Sequence, residues 1–342
     1  MVIMAPTEWE GQLVVRTGTP SSETDYNALA AAIHFYTSAI ILIIGLIGNI
    51  LAVLVMFLPN NGNSVMCFYL RNLAFFDMLT LLIAYLRPYW FGTSATLGVA
   101  YCIIFYYFGS TFYSCSLWTV IIIAVDRVIA VRYPLQTAVW CTMKRARLYT
   151  ILLVVIQFCF YIPHLHMSPR FHPGPDGVHV SCVYPADLNI LIIIDHIVSQ
   201  PVPILSVSVL NIVIAVSLKR HDKHMEQMNK ATREVTSQSD SKDNSMTLML
   251  MLVATCLIIL LFPFFCDAII WNFIIPEMAI ARPDLRYLSF VIAFVPAQCN
   301  HAVNFFLYCF GSRYFRKDLR ILFTSGFVSQ NRGNEKLYKN SN

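Results

Sequence analysis

The run Ala32–Leu58, AIHFYTSAIILIIGLIGNILAVLVMFL, carries no charged side chain, and its reading decides the class of the protein. A helix that crosses a bilayer needs about 20 mostly apolar residues, because hydrocarbon offers no partner to an exposed backbone N–H or C=O. This run meets that requirement. So do six stretches further along the chain: Cys67–Trp90, Tyr101–Val131, Ala146–His166, Leu188–Leu218, Ser245–Phe273 and Leu285–Phe310. The fifth is the most interrupted, by Asp195, His196, Gln200, Pro201 and Pro203. Proline is tolerated inside a membrane helix where neighbours re-satisfy the freed carbonyl. The composition agrees. Of 342 residues, 57% are hydrophobic and only 13% charged, which leaves too few polar side chains to dress a water-facing surface. The expected fold is an all-α membrane protein, a seven-transmembrane helix bundle.

The placement of Lys and Arg tests the count independently. With the N-terminus outside, most of the 24 basic residues fall on the cytoplasmic side, at Arg71, between Arg127 and Arg147, between Lys219 and Lys242, and after Arg313. The outer side keeps Arg16, Arg87, Arg170, Arg282 and Arg286. This is the positive-inside bias, and an odd number of crossings puts the termini on opposite faces. Three regions follow: residues 1–31 as an extracellular N-terminus, 32–310 as the bundle, and 311–342 as an amphipathic helix with a cytoplasmic tail. The N-terminal region has no apolar run long enough for a signal peptide, so the first span is expected to act as its own insertion signal. Over Ser312–Phe323 the residues Phe315, Leu319, Leu322 and Phe323 share a helical face, which suits a short eighth helix lying in the inner headgroup layer.

Polar groups inside the spans are costly and mark candidate sites. Asn49, Asp77, Ser116, Asn300 and Asn304 stand near mid-membrane. A Na⁺ held at Asp77, Ser116, Asn300 and Asn304 is one reading, and hydrogen-bonded glue between helices is the other. Asp126-Arg127 closes the third span on the cytoplasmic side, either as ordinary helix-end charges or as a switch in which Asp126 and Asp243 hold Arg127 at rest. Cys102 and Cys182 both fall outside, where disulfides persist, and are expected to pair.

Taken in order, these residues resemble the rhodopsin-like, class A G-protein-coupled receptors. The resemblance runs from Gly48-Asn49 through Asn72-Leu73-Ala74 with Asp77, Trp90, Cys102 and Cys182, Asp126-Arg127 with Pro134-Leu135, Pro263, and Asn304 with Tyr308, to Phe315-Arg316. The chain departs from the family pattern at Val128, Leu261, Phe305 and Asn211, and it lacks the tryptophan expected within Leu152–Gln157. The runs AVRYPLQTAVWCTMKRAR and NHAVNFFLYCFGSRYFRKDL are similar to invertebrate FMRFamide-type neuropeptide receptors.

The resemblance implies a ligand site among the outer halves of spans three, five, six and seven. Retinal is argued against, because span seven has no lysine for a Schiff base and Gln298 holds that place. Amine transmitters are argued against, because no Asp or Glu stands between Ile103 and Val125. The expected pocket is aromatic, with Tyr106, Tyr113, Phe264, Phe265, Trp271 and Phe294, and its polar members are Asp195, His196, Asp267 and Gln298. A peptide ending in Arg-Phe-amide suits it, the arginine on a carboxylate and over the rings. For many of these rings, packing between helices is the competing role. On the inner side the resemblance implies coupling to a heterotrimeric G protein through Asp126, Arg127, Pro134, Leu135, Asp243, Asn304 and Tyr308. Basic residues such as Arg132, Lys144, Arg145 and Arg147 face anionic lipid headgroups. Thr232, Thr236, Ser237, Ser239 and Ser241 are candidate phosphate acceptors for arrestin recruitment, or simply a polar linker. The expected location is the plasma membrane, multi-pass, with neither nucleic-acid partner nor resident cofactor.

A transporter would show inverted repeats, and the sequence has none. The motifs His-Glu-x-x-His, Gly-x-Ser-x-Gly and the phosphate loop are absent, so an enzyme is not expected. An orphan or decoy receptor with weak G-protein coupling stands as the alternative.

Overall fold

The computed structural model describes residues 26–58, 64–86, 95–174, 177–183, 194, 199, 201–229 and 237–324. Among the described residues, six helices are long and apolar enough to cross a membrane, and a bent pair, Asp284–Ala302 with Asn304–Gly311, makes a seventh crossing when counted as one span. Span one is Tyr26–Met56 and span two Val65–Leu86. Span three runs through Ala95–Cys102, a π-helical stretch Ile103–Phe108, and Gly109–Arg132. Span four is Met143–Phe160 with a 3₁₀ turn, Ile162–His166. Spans five and six are Pro201–Asn229 and Ser237–Ile269.

Several boundaries differ from those drawn on hydropathy. Span one starts at Tyr26, inside the region assigned to the N-terminus. The described helix of span five, Pro201–Asn229, continues past Leu218; most of the stretch from Leu188 to Gln200 lies outside the described residues. Span six begins at Ser237 rather than Ser245. Hydropathy marks where lipid begins; backbone hydrogen bonding does not stop there, and helix runs on beyond the apolar stretch. Span seven is not one straight helix: it breaks at Val303 with a bend of 53°.

Spans one, two, three, five, six and seven follow one another around the bundle, and span one closes the ring against span seven. Span three touches spans two, four, five and six, and so lies centrally. The lipid face is apolar: Ile40, Ile43, Ile47 and Leu54 on span one and Ile151, Leu152, Val155 and Ile156 on span four are exposed. The interior is apolar too, with Leu70, Leu73, Leu117, Val120, Val207, Leu257 and Leu261 buried together. Since lipid and interior are equally oily, close backbone approach and hydrogen bonds hold such a bundle together. Gly45 lets spans one, two and seven meet, for a Cβ there would fall against Leu81 and 3.1 Å from the Cβ of Ala302. Ser114 Oγ donates to Gln157 Oε1 at 2.7 Å between spans three and four.

Outside the membrane, strands β1 (Ser168–Gly174) and β2 (Gly177–Val183) pair antiparallel. The Cys102–Cys182 disulfide ties this hairpin to the start of span three. On the inner side a short helix, Pro134–Trp140, links spans three and four. Residues 313–324 form the eighth helix. Its N-cap is Ser312, whose Oγ accepts the amide of Phe315 at 3.2 Å. Phe315 is buried against Phe305 and Tyr308, and Arg316 caps span seven by donating to the carbonyls of Cys309 (2.7 Å) and Phe310 (3.1 Å).

Candidate functional site

A cavity of about 310 Å³ opens among the outer halves of the helices. Four of the expected pocket residues line it: Tyr106 and Tyr113 from span three, Phe264 from span six and Phe294 from span seven. Phe105, Tyr161, Ser199 and Phe290 join them. Phe290 stacks on Phe294 at 5.4 Å between centroids, and Phe264 meets both rings. The stacking follows from sequence, since positions four apart lie on one face of a helix. The π-helical stretch Ile103–Phe108 sits at this cavity and re-aims the span-three aromatics.

Other expected pocket residues are placed elsewhere. Trp271 is buried, and its Nε1 donates to Ser289 Oγ (2.5 Å) and Asp267 Oδ1 (3.1 Å). Asp267 lies three residues after Phe264, one turn nearer the outer end of the same helix, and outside the cavity lining. Phe265 is one position off the face of Phe264 and does not line the cavity. Gln298 does not line the cavity. It turns toward span one, where Ser38 Oγ donates to its Oε1 at 2.9 Å, because a buried amide is held by the nearest hydroxyl. Asp195 and His196 lie outside the described residues.

Beneath the cavity lies a polar cluster centred on Asp77, which is 0% exposed. Ser116 Oγ donates to Asp77 Oδ1 at 2.5 Å and Asn304 Nδ2 donates to Oδ2 at 2.7 Å. The third partner was not foreseen: Nδ1 of His301, on span seven, lies 2.7 Å from the same Oδ1 and 3.3 Å from Ser116 Oγ. His301 stands three residues before Asn304, so helical spacing alone puts them on one face, and a histidine inside a span was itself a signal. Asn49 Nδ2 donates to the backbone carbonyl of His301 at 2.9 Å. The ring of His301 meets that of Tyr113, edge to face, at 5.5 Å, which joins cluster and cavity.

These residues do not fit the Na⁺ expected at Asp77, Ser116, Asn300 and Asn304. A hard cation wants carboxylate lone pairs and a shell of oxygens. Here both oxygens of Asp77 are already hydrogen-bonded, Oδ1 to Ser116 and to an imidazole nitrogen and Oδ2 to Asn304. Asn300 is buried beside His301 and is not among the groups bonded to Asp77 in the described contacts.

At the inner end, Arg127 is ion-paired with Asp126 at 2.6 Å, both side chains largely buried. Arg127 borders a void of about 10 Å³ between spans two, three, five and six, shared with Asn211, Leu250 and Val253. This is room for a single water, so the helices are tightly packed around Arg127. The side chain of Asp243 lies outside the described residues, as does that of Pro134, while Leu135 is 93% exposed on the inner helix. Tyr308 is buried against Phe315. Next to the ion pair, burial and then the Asp126 carboxylate push the Cys141 thiol up to about 12.

The order of these parts along the chain matches the family described as 7 transmembrane receptor (rhodopsin family) over residues 48–308. The chain belongs to that family. This rhodopsin-family receptor is similar to the adenosine receptor A2a of Cavia porcellus, at 23% identity over 87% of the chain and 74% of the relative. It is also similar to the FMRFamide receptor of Drosophila melanogaster, at 24% identity over 88% of the chain and 57% of the relative. Neuromedin-U receptor 2 of Mus musculus is 26% identical over 82% of the chain and 73% of the relative. The receptor is therefore a multi-pass membrane protein of a G-protein-coupled class and not an enzyme.

Proposed function

We propose that this receptor answers an extracellular neuropeptide with an aromatic, amidated C-terminus of the FMRFamide kind, and passes that signal to a heterotrimeric G protein from the plasma membrane, its N-terminus outside. One observation carries the reading: a cavity walled by Tyr106, Tyr113, Phe264, Phe290 and Phe294 with the carboxylate of Asp267 one turn outward of Phe264. A terminal phenylalanine ring would stack in the cavity, and a preceding arginine would reach Asp267. The similarity to receptors named for FMRFamide and neuromedin-U supports a peptide, and the similarity to an adenosine receptor makes a nucleoside the control ligand.

Agonist and G protein both favour the conformer in which the inner side is open, so each raises the affinity for the other. In the closed form the Asp126–Arg127 pair caps the void, and freeing Arg127 would make room for the partner beside the exposed Leu135. The test is nucleotide exchange on a panel of G-protein α-subunits, driven by peptides ending in Arg-Phe-amide and by adenosine. The expected result is exchange with the amidated peptides only, lost in Arg127→Ala while peptide binding survives. Exchange driven by adenosine alone would overturn the peptide reading. Full exchange in Arg127→Ala would remove Arg127 from the switch, and exchange with neither ligand would favour the weakly coupling alternative.

A further inference from the structure

The buried carboxylate of Asp77 poses a question of charge. Inside a membrane bundle a lone carboxylate needs a cation or a proton to offset its desolvation. The geometry points to His301 as the built-in replacement for a metal cation: this receptor takes no Na⁺ in its transmembrane cluster, and its stability is indifferent to that ion.

Three observations lead there. The first is the 2.7 Å separation between His301 Nδ1 and Asp77 Oδ1, which requires one hydrogen between nitrogen and oxygen, whichever atom carries it. That hydrogen occupies the lone-pair direction a cation would take. The second is saturation. A carboxylate offers about four lone-pair sites, and Ser116, His301 and Asn304 lie against three of them, with both oxygens engaged. Ser116, whose oxygen would be the natural co-ligand, is turned to donate to Asp77 and is itself 3.3 Å from the same ring nitrogen. The third is anchorage. Asn49 fixes the His301 backbone carbonyl at 2.9 Å, and the ring, 1% exposed, is edge-on to Tyr113. The ring is packed among Asp77, Ser116 and Tyr113, and the backbone that carries it is tied to span one.

The consequence is an exchange of chemistry at one place. In this receptor a residue of span seven covalently attached to the bundle does what a diffusible cation would otherwise do: it satisfies Asp77 and ties spans two, three and seven. Salt can then no longer tune that tie.

The test needs no agonist, so its outcome is separate from that of the ligand assignment. Thermal unfolding of the purified full-length receptor in detergent is followed in NaCl and in choline chloride at matched ionic strength. An ion bound only by the folded state raises the unfolding midpoint as its concentration rises. The wild type should unfold at the same temperature in the two salts throughout. His301→Ser, which leaves Asp77 facing an oxygen-bearing space, should gain a Na⁺-specific rise, and His301→Ser with Asp77→Asn should lose it. A Na⁺-specific rise in the wild type that Asp77→Asn abolishes overturns the inference. A His301→Ser receptor that ignores Na⁺ overturns it as well, since the imidazole would not then be what excludes the ion. If His301→Ser does not fold, His301→Asn is held to the same criterion.

Discussion

Replacing Gly45 by alanine adds one methyl group where spans one, two and seven meet. The new Cβ would fall against Leu81 Cδ1, 3.1 Å from Ala302 Cβ and 3.3 Å from Ala302 Cα. Leu81 can rotate, although it is 3% exposed in the same interface. Ala302 has no rotamer to change, and its Cα belongs to the helix. Relief must therefore come from separating the backbones of spans one and seven, next to the place where Asn49 holds the His301 carbonyl. Overpacking of this kind costs about 1–3 kcal/mol, while alanine's better helix propensity returns about 1 kcal/mol. The difference is a net loss of about 0–2 kcal/mol, and the unyielding Ala302 contact puts it toward the upper end. Gly109 supplies the contrast. A Cβ there meets only the Cγ2 methyl of Ile83 at 3.2 Å and the carbonyl of Ile104 at 3.8 Å. The Ile83 methyl is a side-chain end that can give by a few tenths of an ångström, so at Gly109 propensity prevails. Thermal unfolding of wild type, Gly45→Ala and Gly109→Ala, followed by tryptophan fluorescence in one detergent, measures both. The Gly45→Ala midpoint should fall by a few degrees, and that of Gly109→Ala should equal or exceed the wild type. A Gly45→Ala receptor as stable as Gly109→Ala would show that the close approach at Gly45 does not limit packing.

Two further outcomes are expected. Cys182→Ser opens a loop with a sequence separation of 80; on the chain-entropy account this costs about 4 kcal/mol. It should lower surface expression and unfolding temperature together, and equal values for mutant and wild type would contradict the bracing role of the disulfide. Cys141 has its thiol pushed up to about 12 by burial and the neighbouring Asp126. A raised value keeps the unreactive thiol form as pH climbs, so at pH 8 its thiolate fraction is roughly a thousandfold below that of a free cysteine. In a background where Cys141 is the sole free thiol and the outer disulfide is intact, alkylation at pH 8 should be far slower than in the unfolded chain; equal rates would refute the burial assigned to it.

The bundle was legible in the sequence because two independent physical signals, apolar length and the side on which Lys and Arg fall, lead to the same seven crossings. The cavity was partly legible. Tyr106, Tyr113, Phe264 and Phe294 line it as expected, whereas Phe290 could have been added from its spacing of four to Phe294. Gln298 could not be oriented from sequence. A polar residue in span seven can face the cavity or span one, and only the position of Ser38 decides. The hairpin of β1 and β2 was hidden for another reason. Its strands contain Pro169, Pro173 and Gly174, which weaken any local strand signal, and the disulfide to span three anchors the second strand from outside it. His301 was the costliest omission, because its partner Asp77 is distant in sequence and only the packing of spans two and seven makes them neighbours.

The departure at Phe305 illustrates how one geometry can be reached by different chemistry. A proline at that position would lack the amide hydrogen that a continuous helix directs to the carbonyl of residue 301, and the helix would bend for want of a bond. Phe305 has the amide, yet span seven still bends by 53° at Val303. The carbonyl of His301 is taken instead by Asn49 of span one, and Gly48, beside Asn49, leaves room for Phe305, whose Cβ lies only 3.0 Å from where a Cβ of Gly48 would be. The bend turns Asn304 toward Asp77 and leaves Tyr308 and Phe305 against Phe315 of the eighth helix. Tyr113 in the cavity wall, His301, Asp77, Asn304 and the inner end of span seven are therefore in unbroken contact. Contact alone does not make a pathway; a ligand that displaces Tyr113 acts on the neighbour of His301, and movement of that ring would alter the contacts to Asp77 and Ser116 that tie span seven to spans two and three.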